Sequence, residues 1–271
     1  FAAHLDEVAA LGVDAIELPI YDYDVVVAAK PFEPHVRRLE AACRGRAVQF
    51  SAHGPLSINF FDEPYRCPLH FDVLKASLEV AARLGARNYV LHSGHRPRGR
   101  HEGRKIAFER QREWLARAGD VAKSLGVIVC VENLFDWTWG NLETASPSEL
   151  AAELTAVAHP NVAATIDFSH ADLEMGLRGG DVVAEVKTLA PHARHLHLHD
   201  SFGRPDDIYM YADGERLAYG HGDLHLPVGW GSTPWDRFMA ECTFPSDVLF
   251  NIELNPRHWH FAAETVATTR R

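Results

Sequence analysis

Short runs of consecutive apolar residues alternate along the chain with longer stretches in which apolar positions recur every three to four residues. The two patterns predict strands and helices in turn. Residues 3–11 read as a helix stopped by Gly12, and the next segment, Asp14 to Ile20, reads as a strand. A helix over 33–44 precedes a strand over 48–52, and a helix over 69–84, stopped by Gly85, precedes a strand over 88–92. The alternation continues with a helix over 105–125 closed by Gly126, a strand over 127–132, a helix over 148–158 and a strand over 162–167. A helix over 180–189 leads to the strand 195–200, and a helix over 234–242 leads to the last strand, 248–253.

Strands that are apolar throughout, each reached through a helix, indicate βα units and a parallel sheet. So many units favour a closed barrel over an open sheet. The expected fold is therefore α/β, a (β/α)8 TIM barrel filling residues 1–271 as a single domain. Seven strands are countable, which places strand one upstream of Phe1, missing from the N-terminus of this chain. The stretch from Ser201 to Trp235 shows no clear regular element and is longer than structureless connections usually run, so it is expected to be a functional loop. There is no internal repeat and no low-complexity segment.

Composition refines this picture. A chain of 271 residues, 46 % of them hydrophobic, can bury one large core. Cys43, Cys67, Cys130 and Cys242 have neither C-x-x-C spacing nor the density of a disulfide scaffold, so a reducing, cytoplasmic setting is expected. A net charge of −10 argues against polyanion binding by the whole surface, though a local basic loop can still steer a phosphate. No run approaches the roughly 20 apolar residues that span a bilayer, and no membrane contact is expected.

Seventeen histidines are more than a core absorbs as packing, and they gather at predicted strand ends. The strand His195-Leu196-His197-Leu198-His199 puts three imidazoles on one face. Three histidines pointing into a barrel would be expensive as packing, so one or more of them is expected to bind a metal or substrate. Asp167 and His170 close another strand, and a carboxylate followed three residues later by an imidazole can feed one or two ions as the chain leaves the sheet. Glu132 and Glu253 each terminate an apolar strand, His53 precedes Gly54-Pro55, and His92 precedes Ser93-Gly94. Asp223 and His225 stand in the long loop, ahead of Gly229-Trp230-Gly231. In a parallel barrel the carboxyl ends of the strands share one mouth, so nine of these residues, His53, His92, Glu132, Asp167, His170, His197, Asp223, His225 and Glu253, would converge there.

The order and context of these residues resemble the xylose isomerase-like barrels, which join sugar-phosphate isomerases and epimerases with endonuclease IV. The resemblance covers essentially the whole chain. His53 with Leu56-Ser57-Ile58-Asn59, His92-Ser93-Gly94, Glu132-Asn133, Asp167-Phe168-Ser169-His170, His197-Leu198-His199-Asp200, the loop from Asp223 to Gly231, and Glu253 follow in order the metal-site motifs of the endonuclease branch. On that likeness His53, His92, Glu132, Asp167, His170, His197, Asp223, His225 and Glu253 fill a trinuclear zinc site. The isomerase branch uses a subset, one divalent ion on the positions of Glu132, Asp167, His197 and Glu253, with Glu132 and Glu253 exchanging the substrate proton.

The resemblance thus implies a metal-dependent isomerase or epimerase acting on a sugar, polyol or sugar phosphate by proton transfer next to a carbonyl. The alternative it implies is a trinuclear-zinc phosphodiesterase, an AP endonuclease of family 2. Where the endonuclease branch carries a DNA-wedging aromatic, three residues beyond His53, this chain has Leu56, which favours the isomerase. The implied cofactor is a divalent ion, Zn or Mn, one to three per chain. The expected partner is a small carbohydrate, nucleic acid enters only on the alternative reading, and self-association is left open.

Substrate contacts are expected from His199, Arg204, Trp137, Trp230 and Arg98. Arg98 belongs to the basic run from Arg96 to Lys105, which suits an anionic substrate or equally a solvated surface. Arg204 stands one position out of register with an arginine that holds substrate oxygens in epimerases resembling this chain. Trp137, Trp139, Trp230, Trp235 and Trp259 follow strand ends, where aromatic faces pack against sugars, although Trp235 is better read as core.

Overall fold

The computed structural model describes residues 1–99, 102–138, 140–204 and 207–271. Seven strands form its main sheet: β1 (Ala15–Pro19), β2 (Gln49–His53), β3 (Ala86–His92), β4 (Ile128–Glu132), β5 (Val162–Asp167), β6 (Ala193–Leu198) and β7 (Leu249–Ile252). The helices are α1 (Ala2–Ala10), α2 (Glu33–Cys43), α3 (Cys67–Arg83), α4 (Arg104–Leu125), α5 (Pro147–Val157), α6 (Phe168–Arg178), α7 (Val182–Leu189), α8 (Asp213–Tyr219), α9 (Trp235–Glu241) and α10 (Ala262–Thr269). Strands and helices alternate as expected for the α/β class. The chain divides into two compact units.

The first unit comprises Phe1–Gly94, His101–Glu132 and Glu153–Ala164, and its strands are ordered β1-β2-β3-β4-β5. Sheet order equals chain order because every crossover carries a helix. Parallel pairing sets Pro19 opposite His53, His53 opposite Val90, and His92 opposite Glu132, so polar residues end the strands after apolar runs. Between the helices, the Trp114 ring of α4 stacks on Phe60 at 5.8 Å and meets Phe71 of α3 at 5.1 Å. Directly after His53 the backbone passes so close to Tyr89 that a Cβ on Gly54 would lie 2.0 Å from the phenol oxygen. That oxygen is held by Ser77 Oγ at 2.6 Å.

The second unit comprises His95–Arg100, Asn133–Ala152 and Thr165–Arg271, with strand order β5-β6-β7. His195 pairs with Leu249 and His197 with Asn251 along β6 and β7. Asp167 ends β5 and caps α6, accepting the His170 backbone N–H at 2.8 Å. This satisfies an amide that a helix start leaves bare. Two-residue strands Arg96–Pro97 and Leu142–Glu143 pair antiparallel and join the loops after β3 and β4. The Phe168 ring is buried against Trp235 at 5.2 Å and Phe238 at 4.8 Å.

Three features depart from the sequence expectation. α6 occupies 168–178, where only a turn out of the sheet was expected, and the helix expected over 180–189 starts at Val182 behind its cap Asp181. The stretch 201–235 is not wholly irregular, since it contains α8 and an isolated bridge between Asp200 and Leu226. α10 follows the last strand, in a segment for which the apolar pattern suggested no element.

Candidate functional site

In the first unit His53, His92 and Glu132 come together at the ends of β2, β3 and β4. Glu132 Oε2 lies 3.4 Å from His53 Nε2 and 3.6 Å from His92 Nε2, and the two imidazoles meet edge to face at 5.1 Å. Register explains the meeting, because β3 and β4 bring residues 92 and 132 level. The Nδ1–H of His53 donates to the Gly54 carbonyl at 3.0 Å, which leaves Nε2 as the lone-pair side turned to the carboxylate.

The second unit repeats this arrangement twice around one acid. His170 donates Nδ1–H to the Asn133 carbonyl at 3.2 Å and points Nε2 at Asp223 Oδ2, 3.3 Å away. His225 donates Nδ1–H to the Glu253 carbonyl at 3.1 Å and points Nε2 at the same oxygen at 2.8 Å. An imidazole anchored to a backbone carbonyl through one nitrogen, with the other aimed at a carboxylate, is the usual setting of a metal-ligating histidine. Burial is the largest single influence on His225 and opposes its charge, but the attractions of Asp223, Glu253 and Asp167 together outweigh it, and the group is raised to about 9. Asp223 is held well below the usual carboxylate range: desolvation opposes this, and His225, His170 and His199 overcome it.

Asp167 is fully buried beside this group. Its Oδ1 takes the α6 cap bond, and its Oδ2 takes Nε2 of His199 at 2.8 Å. Asn133 brackets its backbone, donating Nδ2–H to the Asp167 carbonyl at 2.9 Å and accepting the Asp167 N–H at 3.0 Å. His197 Nδ1 lies 3.4 Å from Glu253 Oε1 and 3.8 Å from Asp167 Oδ2. His170, His199, Asp223 and His225 form one group of potential ligands, and Asp167, His199 and Glu253 another, with ligand atoms in each within 4.8 Å of one another.

These donors fit a divalent ion of the Zn or Mn kind, which takes imidazole nitrogen and carboxylate oxygen together. A second observation agrees: the buried atoms His199 Nδ1 and Asp223 Oδ1 make no hydrogen bond.

The expected substrate-contacting residues are placed unequally. Trp137 is 52 % exposed, and its ring meets His95 edge-on at 3.9 Å. Arg98 approaches Asp136 at 3.8 Å, while its neighbour Arg96 is buried in an ion pair with Glu143 at 3.0 Å. Trp230 packs one edge on Phe261 at 4.7 Å and keeps 41 % of its surface open. Arg204 is exposed and reaches the Tyr219 carbonyl at 3.4 Å. His199 is fully buried, and Leu56 is exposed. Trp235, read from sequence as core, is half-buried, its indole N–H donating to Asp200 at 3.2 Å. Trp139, Arg100 and His101 lie outside the described residues.

Two residues stand out that sequence reasoning passed over. His95 is buried, donates Nε2–H to the Phe135 carbonyl at 3.0 Å, and is lowered to about 4, chiefly by desolvation. Its only signal was a histidine just past the Ser93-Gly94 exit from β3. Asp200 is the other. In sequence it is the tail of a histidine strand, and in the structure it is a buried acceptor for the loop that carries Asp223 and His225.

Residues 5–260 match the family model described as "Xylose isomerase-like TIM barrel". No curated protein matches the chain. Among solved structures it is similar to a D-tagatose 3-epimerase-like protein, with 19 % identity, a TM-score of 0.70, and 95 % of this chain and 87 % of that one covered. It is also similar to D-psicose 3-epimerase from Clostridium cellulolyticum H10, with 17 % identity, a TM-score of 0.69, and coverage of 99 % and 92 %. IolI, solved with a bound zinc atom, gives 15 % identity, a TM-score of 0.69, and coverage of 98 % and 90 %. At such identities the likeness is one of fold.

Proposed function

The chain belongs to the xylose isomerase-like TIM barrel family, and from that premise we propose that it is a divalent-metal-dependent isomerase or epimerase acting on a sugar, polyol or sugar phosphate. On this reading residues 1–271 work as one barrel domain, and the reaction is proton transfer next to a carbonyl. The epimerase names of two structural neighbours support the substrate class. The observation that carries it is the grouping of His197 with Asp167 and Glu253, three of the four positions that hold the ion in the isomerase branch. Glu132, the fourth, ends its strand fully enclosed.

Glu132 and Glu253 are the proposed proton-transfer pair. One, as carboxylate, takes the proton from the carbon α to the carbonyl while the electron pair moves towards the carbonyl oxygen, and the other, protonated, returns one. A bound divalent ion would polarise that carbonyl and the neighbouring hydroxyl. Asp167 and His197 are fixed by burial, so they hold rather than move. Trp137 and Trp230 offer open aromatic faces to the apolar side of a sugar, and Arg98 and Arg204 offer cations to an anionic one. No described helix is long and apolar enough to cross a membrane. The cysteines form no disulfides, which accords with the proposed cytoplasmic setting.

The test is isotopic. Metal-loaded protein, incubated with a panel of ketoses in deuterated water, should place solvent deuterium on the carbon α to the carbonyl. Absence of exchange with every ketose and ketose phosphate would count decisively against the proposal.

One observation favours a second reading, a trinuclear-zinc phosphodiesterase. His53 and His92 gather on Glu132, and His170 and His225 on Asp223, although a mononuclear isomerase needs none of these four histidines for its ion. Three zinc ions per chain together with cleavage of an abasic duplex would establish it. Close to one ion and no cleavage would remove it.

A further inference from the structure

His199 was expected to touch substrate, but the structure encloses it completely. Its ring is gripped on several sides. His225 stacks on it at 3.8 Å with planes 9° apart, and His170 meets it edge-on at 5.9 Å. Two carboxylates face its nitrogens: Asp167 Oδ2 is 2.8 Å from Nε2, and Asp223 Oδ1 is 3.7 Å from Nδ1. A neutral imidazole carries one N–H, and these distances decide where it is used. The first is a hydrogen bond and the second is too long for one, so Nε2 donates to Asp167. Nδ1 correspondingly has no hydrogen-bond partner.

We infer that His199 is a positioning residue: clamped between His225 and its surroundings, it donates Nε2–H to Oδ2 of Asp167 and fixes the orientation in which that carboxylate meets a divalent ion. The inference rests on the reading of Asp167 as a metal-holding residue given above. Asp167 Oδ1 is already tied to the cap of α6, and at Oδ2 His199 makes the short bond, while the imidazoles of His170 and His197 stand further off at 3.6 Å and 3.8 Å, so His199 sets the second oxygen's direction. Hydrogen bonds that orient ligating groups typically change metal affinity about 10–100-fold when removed. Stacking adds to this, because a ring that cannot tilt donates in one direction only.

The experiment compares binding of Mn(II), and separately Zn(II), to the chelator-stripped full chain by titration calorimetry, in wild type and in His199→Gln, His199→Asn and His199→Phe. Gln extends an amide N–H to about the reach of Nε2, Asn keeps an amide but falls short, and Phe keeps the stacking surface without a donor. The Gln protein should bind within about threefold of wild type, and the Asn and Phe proteins about 10–100-fold more weakly. Circular dichroism identifies any variant that fails to fold, and Asn carries the comparison if Phe does. Equal affinity in wild type and the donor-deficient variants overturns the inference, as does a Gln protein as weak as Asn. Wild type that binds neither ion overturns both the inference and the functional reading beneath it.

Discussion

Trp235 donates its indole N–H to Oδ2 of Asp200 at 3.2 Å, and that bond is one of four closing on a buried carboxylate. Gly229 N–H meets the same oxygen at 2.8 Å, while Ser201 and Thr233 N–H groups meet Oδ1 at 3.0 Å and 3.2 Å. Backbone bonds between Asp200 and Leu226, both 3.0 Å, complete the clamp. The loop that carries Asp223 and His225 is thus fastened to the end of β6. Asp200→Ala should strand four donors and cost on the order of 4 kcal/mol in urea denaturation, with Asp200→Asn losing less. A loss under about 1 kcal/mol would show that the clamp is ornamental.

Removing the acid or base of the proposed pair should silence chemistry without unfolding the protein. Glu132→Gln is nearly isosteric and keeps the enclosed volume filled. The expected result is deuterium incorporation reduced about 10²–10⁴-fold, with the thermal midpoint of the metal-free protein little changed. Full activity in this variant would displace Glu132 from the mechanism.

Chelation should destabilise the wild-type protein, since an ion that binds only the folded chain adds to its stability. At free metal about 100 times its dissociation constant the gain is about 2.7 kcal/mol, readable as a rise in the thermal midpoint on adding back Zn(II) or Mn(II). A midpoint indifferent to chelator and metal alike would argue that the grouped histidines hold no ion.

His95 supplies a pH dependence. Its folded value, lowered to about 4, lies below the ordinary 6.5, so the folded state disfavours the charged ring. The associated stability is present in full above pH 6.5 and is lost as pH falls towards 4, because the unfolded chain takes up the proton first. The loss should reach on the order of 3 kcal/mol. His95→Gln should flatten that limb of the stability curve, measured by denaturant titration between pH 4 and 7.5; an unchanged slope would assign the acid sensitivity elsewhere.

The strands and their polar ends were legible because apolar runs such as Val127 to Val131 end abruptly in a charged residue. Parallel register then made neighbours of His92 and Glu132. α6 was hidden because its first turn, Phe168-Ser169-His170, carries a candidate ligand and reads as a loop, while its cap, Asp167, was counted for chemistry alone. Alternation set His195, His197 and His199 on one face but could not rank them. What singles out His199 is a bond to a residue 32 positions away, which no local pattern encodes. Asp200 escaped for the same reason: its donors lie up to 35 residues further on.

The contact between Gly54 and Tyr89 carries a consequence for descent. One small volume beside His53 is shared by the bare backbone of one residue and the phenol of the other, so the two positions amount to a single heritable choice. A lineage that acquires a side chain at 54 must first give up the tyrosine and its bond to Ser77. Among relatives of this chain, glycine at 54 should travel with tyrosine at 89, and a loss of either should be found in company with a loss of the other.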